Sequence, residues 1–133
     1  MKSFVHALVF FLAMIPAISF AQDKQQTWTE QEKFHSFMSS TFHPAEEGNF
    51  QPLKEKADNM LLAAKRWELS DIPSNYDSDK TKAELHTLVK LVNAVADAVH
   101  GNAENAQLLT LITSAHDSYH RVVGECKKKD GKH

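Results

Sequence analysis

Apolar side chains return every three or four residues through four stretches of this chain, and no stretch sustains the alternation in twos that marks an exposed strand. The pattern predicts an all-α protein. A first helix is expected from about Thr27 to His43, with Phe34, Met38 and Phe42 on one face and Pro44 ending it. The link from Ala45 to Gln51 is acidic and contains a glycine, after which Pro52 suits the first turn of a second helix. That helix carries Leu53, Ala57, Met60, Leu61, Ala64 and Trp67 inward and ends near Leu69. The connector from Ser70 to Asp79 is rich in turn formers, and Ser78 or Asp79 is placed to cap a third helix. This helix presents Leu85, Leu88, Val89, Val92, Val95, Ala96 and Val99, and Gly101-Asn102 supplies a left-handed stop. A fourth helix, from about Ala103 to Lys127, turns Leu108, Leu111, Ile112, Ala115, Tyr119, Val122 and Cys126 inward. Four comparable helices with short first and third links pack most simply as an antiparallel up-down-up-down four-helix bundle.

The first residues follow a different pattern. Lys2 precedes an apolar run from Phe4 to Ile15, and Ser19-Phe20-Ala21 offers small residues around a cleavage point, so residues 1–21 are expected to be a signal peptide. A retained anchor is the weaker reading, because Pro16 and Ser19 break the run short of the roughly 20 residues a spanning helix needs. No cysteine follows the cleavage point, so a lipid anchor is not indicated. The expectation is therefore a periplasmic or otherwise exported protein without stable membrane insertion. Of the 133 residues, 112 remain after the first 21 are removed, which supports one domain spanning 22–133. With Lys2 gone, 14 basic residues face 17 acidic ones. That balance offers no broad cationic surface for nucleic acid or anionic lipid, and the short Lys127–Lys129 run reads as a solvated, frayed helix end.

The chemistry worth weighing lies in the histidines and the single cysteine. Cys126 cannot close a disulfide within the chain; it is a half-buried small apolar residue, a thiol free for metal or modification, or half of a bridge in a dimer. His116 and His120 stand four apart on a helix, which places two imidazoles on one face. In an antiparallel bundle the end of the fourth helix is level with the start of the first, so His35 is expected opposite that pair. Three neutral imidazoles would suit Zn(II), Cu(II) or Ni(II). A fourth ligand could be Met38, Glu32, His43 or water: a thioether favours Cu(I), whereas a carboxylate favours a harder ion. His43 lies eight residues beyond His35, about 12 Å of helix rise, and would reach the same ion only if the first helix ended early. Met38 also reads as plain core. His86 and His100 are expected at the surface, His133 belongs to the tail, and Trp67, Phe34 and Phe37 read as core or bundle-end anchors.

Lys56-Ala57-Asp58-Asn59-Met60, the loop from Pro73 to Asp79, and Tyr119-His120-Arg121 together resemble the soluble periplasmic cytochrome b562 bundle. The resemblance implies that His120 stands where that family has an axial histidine for haem. The family's second ligand, a methionine early in the first helix, falls at or beside His35, where this chain has no methionine. A haem b held by His35 and His120 is the form such binding would take, though His116 one turn away crowds a porphyrin while suiting a bare ion. Covalent haem is excluded for want of Cys-x-x-Cys-His. Phe34-His35, Met38, Phe42-His43-Pro44 and His116-Asp117-Ser118-Tyr119-His120 also resemble exported, uncharacterised helical bundles whose histidines suggest metal binding.

Three functions follow as expectations. The leading one is storage, delivery or sensing of one copper or zinc ion through His35, His116 and His120. Electron transfer by non-covalent haem and a purely structural or chaperone-like helical module are the alternatives. An enzyme is not expected: the chain has no Gly-rich phosphate loop and no nucleophile-histidine-acid order, and Glu46-Glu47 sits in a linker.

Overall fold

The computed structural model describes residues 27–129. Within them the chain forms α1 (Thr29–Glu46), α2 (Gln51–Leu69), α3 (Ser78–His100) and α4 (Asn105–His120), followed by a π-helical segment over Arg121–Glu125. The helices form a four-helix bundle, each packing on the next in sequence while α4 closes on α1. None of them is long and apolar enough to cross a membrane. The leader and cleavage point expected at residues 1–21, and His133, lie outside the described residues.

One core runs through the bundle. Phe34, Met38 and Phe42 of α1 meet Leu53, Met60 and Trp67 of α2, Leu85, Leu88, Val92 and Val95 of α3, and Leu108, Ile112, Ala115 and Tyr119 of α4. The helical spacing of these positions is the reason they share an interior. Trp28, which precedes α1, joins them: its ring lies edge-on to Trp67 at 5.5 Å and to Tyr76 at 5.1 Å, and its Nε1 donates to Ser70 Oγ at 2.8 Å. Phe37, expected as an anchor, is only half-buried and lies between α1 and α2.

The helix ends depart from expectation in instructive ways. Pro44 does not stop α1, which continues through Ala45 and Glu46. Proline removes one N–H that Ser40 would have received, and in the last turn that is the loss of a single bond. The stop comes at Gly48, whose φ is +89. Its N–H bonds to Ala45 O at 3.0 Å and the Asn49 N–H reaches back to Pro44 O at 2.8 Å, a Schellman closure. Gly48→Ala is expected to lower stability by about 1–2 kcal/mol from the left-handed backbone alone, because its Cβ would meet open space; a denaturant midpoint measures it, and an unchanged midpoint would contradict the strain argument.

The same closure ends α3. Here Asn102, with φ 52, takes the left-handed position and Gly101 does not, while Ala103 N bonds to Ala98 O at 2.9 Å. The α3 cap is Asp77, one residue ahead of the expected Ser78 or Asp79, its Oδ1 accepting from Lys80 N at 3.0 Å.

The fourth helix begins at Asn105, two residues later than expected, and widens after His120. The wider turn carries Cys126 to the connector between α2 and α3. Asp77 N donates to Cys126 O and Lys128 N to Asn75 O, both at 2.8 Å. Lys127 Nζ stands 5.9 Å from the Tyr76 ring centroid. The lysine run is therefore pinned at two of its three residues rather than frayed, because backbone pairing with a loop leaves no periodic trace in sequence. Cys126 itself is buried, and burial raises its thiol pKa while the Thr81 hydroxyl works the other way. Of the three readings of this cysteine, the small apolar residue is the one the fold supports, buried where half-burial was expected; a covered thiol is a poor metal ligand.

Candidate metal centre

The line where α1 meets α4 gathers the histidines. Gln31 Nε2 donates to Tyr119 Oη at 2.7 Å, fixing the start of α1 beside the end of α4. Four residues on from Gln31, the His35 ring stacks on Tyr119 at 5.3 Å and 13°. One turn back along α4, the His116 ring stacks on Phe42 at 3.9 Å and 15°. His35 is thus level with Tyr119, and Phe42 and His43 are level with His116. The α4 pair lies between them.

His116 and His120 do what their spacing requires. Their Nε2 atoms are 3.1 Å apart, with ring centroids at 4.4 Å and planes crossing at 78°. That separation is hydrogen-bond distance, with donor and acceptor set by the tautomers of the two rings. Two nitrogens held at about 2.0 Å from one ion stand this far apart when the angle at the ion is about 100°, between a right-angled and a tetrahedral bite. The pair is the size of a two-nitrogen chelate.

A pocket of about 190 Å3 opens beside it, lined by His35, Met38, Ser39, Phe42, His43, His116, Tyr119 and His120. All five side chains expected at a metal site therefore share one cavity, but unequally. Met38 is buried and lines the cavity from the core side. His35 is exposed and lies flat on Tyr119. His43 stays on an unbroken helix, with its Nδ1 3.4 Å from Glu46 Oε1. Glu32, the carboxylate considered as a fourth ligand, does not reach the cavity wall. Among the described residues, no three His, Cys, Asp or Glu side chains converge as a ready-made ligand set. The direct contact is the pair alone, and a third ligand requires a rotation of His35, His43 or Met38 toward it. Ser39 carried no sequence signal; it lines the cavity only because it lies next to Met38 on α1.

Electrostatics favour a neutral His116. Burial lowers its pKa most, His120 and His43 add to that, and Asp117 and Glu46 oppose it. Only a neutral imidazole ligates, so the site keeps this donor available below the ordinary histidine range. Asp117 Oδ1 stands 3.9 Å from His116 Nδ1, on the side of the ring away from His120.

The other two histidines among the described residues are exposed, as expected, and each faces a carboxylate of α2. His86 Nδ1 is 3.2 Å from Glu68 Oε2, and His100 Nε2 is 2.8 Å from Asp58 Oδ1. The hydrogen bond and charge of Asp58 raise the His100 pKa. Linkage then has opposite signs at the two sites. The His100 contribution is present below about pH 6.5 and fades as pH rises through its folded value; the His116 contribution is complete above about 6.5 and is lost as pH falls toward its lower folded value. NMR titration is expected to place His100 above and His116 below that reference, with Asp58→Asn lowering the His100 midpoint only. A reversed order would contradict these environments.

Fold and site together define a helical bundle carrying a paired-imidazole pocket between its outermost helices. Compared with known protein families, with curated proteins and with solved structures, the chain matches none.

Proposed function

We propose that this protein is an exported metal-binding bundle that holds one copper or zinc ion, for storage, delivery or sensing, with nickel the remaining divalent candidate. The observation that carries the reading is the 3.1 Å approach of the His116 and His120 Nε2 atoms inside a pocket that His35, His43 and Met38 also line. His35 stacks on Tyr119, the neighbour of His120 in the chain, and is the third ligand this reading favours. The packing of Trp28 at the start of α1 against Trp67 near the end of α2 supports an up-down-up-down course, which sets the end of α4 beside the start of α1. Export rests on the leader pattern of residues 1–21; with a single cysteine, the core holds by packing rather than by an internal disulfide.

Haem b held as in cytochrome b562 is the competing reading. The cavity argues against it: 190 Å3 is below the roughly 300–1,000 Å3 of pockets that enclose drug-sized ligands, and Phe42 already covers one face of His116. Elemental analysis of the protein purified from cells, with its visible spectrum, tests the choice. About one equivalent of copper or zinc with no Soret band is the expected result. A Soret band would hand the site to haem, and neither metal nor haem, with no melting shift on adding Zn, Cu or Ni, would leave a structural module.

A further inference from the structure

A second and larger pocket, about 570 Å3, lies between α1 and α2 and shares no lining residue with the histidine cavity. Its origin is a second stripe on α2. Leu53, Met60 and Trp67 face the core, whereas Leu62, Arg66 and Leu69 follow at intervals of four and three and share a different face. Phe37 of α1 and Ala63 form the floor between the helices. Leu62 is 46% exposed and Leu69 84%, and these are the two exposed large apolar side chains among the described residues. Isolated exposed leucines are ordinary; these two line one concave site and are not scattered.

The rim supplies the charge. Lys33 of α1 and Arg66 of α2 line this pocket, and among the described residues neither stands within 4.0 Å of a carboxylate, although Glu30 lines the same rim. Two cations lining an apolar floor, with no ion-pair partner among the described residues, match one anionic head on an apolar body. Guanidinium gives a bidentate fork for carboxylate, and lysine adds a point charge. Glu30 leaves the rim with one net positive charge, which disfavours a dianion. The volume falls within the range of pockets for small organic ligands.

We propose that the α1–α2 pocket binds a free amphipathic monocarboxylate, its chain on Phe37, Leu62, Ala63 and Leu69 and its head on Arg66 and Lys33. This site is independent of the metal reading and stands or falls separately. Calorimetric titration of the full protein with decanoate, and with decanol as the uncharged body, tests it. Decanoate is expected to bind at one site, Arg66→Glu to weaken it by about 10- to 100-fold while leaving decanol unchanged, and Leu62→Asp to weaken both. Circular dichroism checks that each variant is folded. Absence of decanoate binding at about 1 mM, or equal loss of decanoate and decanol with Arg66→Glu, would overturn the proposal. So would binding to phosphatidylglycerol vesicles that Arg66→Glu abolishes while decanoate binding persists, which would make the face a membrane contact.

Discussion

Replacing His116 and His120 together by alanine is expected to weaken metal binding by more than about 100-fold. Mutating groups that merely orient a ligand costs about 10–100-fold, and removing two direct donors must exceed that. The two substitutions lie at the α4 surface, His120 being exposed and His116 23% so, so the bundle should remain folded and the loss should be read as chemistry. Uptake by the unaltered protein is expected to decline below about pH 6, as imidazoles protonate. The lowered His116 pKa sets its own share of that decline at a lower pH than an unperturbed pair would give. His35→Ala, His43→Ala and Met38→Leu then sort the third ligand: the one whose change cuts affinity while the pair is intact completes the site. A double variant that still binds one ion with the original affinity would end the assignment.

Trp67→Ala is expected to cost about 3–5 kcal/mol, a large part of the roughly 5–15 kcal/mol that holds a domain of this size. Trp67 is fully buried, its ring 5.4 Å from Phe34, 5.5 Å from Trp28 and 5.9 Å from Tyr119. Removing it opens a cavity under three aromatic neighbours at once, and Tyr119 is also the surface on which His35 rests. Metal affinity should therefore fall with stability in this variant. Trp67→Phe provides the control. Among the described residues the indole Nε1 has no hydrogen-bond partner, so phenylalanine gives up volume but also removes an unsatisfied buried donor, and its cost is expected to be below about 2 kcal/mol. Urea denaturation of both variants measures the difference; a phenylalanine variant as unstable as the alanine one would place a partner on that nitrogen.

The helical interior was legible because burial on a helix repeats with the helix. Phe34, Met38, Phe42, Leu85, Leu88 and Ile112 are all inward as their spacing required. Local signals were less secure at the boundaries. Pro44 was read as a stop because an interior proline is costly, but in a last turn it forfeits one bond, and Gly48 does the stopping. Trp28 and the pairing of Lys127 with Tyr76 left no trace in the pattern, since each depends on a segment distant in sequence.

The histidine centre divides along the same line. The approach of His116 to His120 is local, four residues on one helix, and the chain alone specified it. Whether His35, His43 and Met38 would join them depended on how α1 lies against α4, which no spacing within either helix encodes. Tertiary packing set His35 on Tyr119 and His116 on Phe42, brought all five side chains to one cavity, and left only the α4 nitrogens in contact. Periodicity determines which face of each helix is buried; the rotation and rise of one helix against another follow from side-chain fit across the whole core, and that fit decided the site.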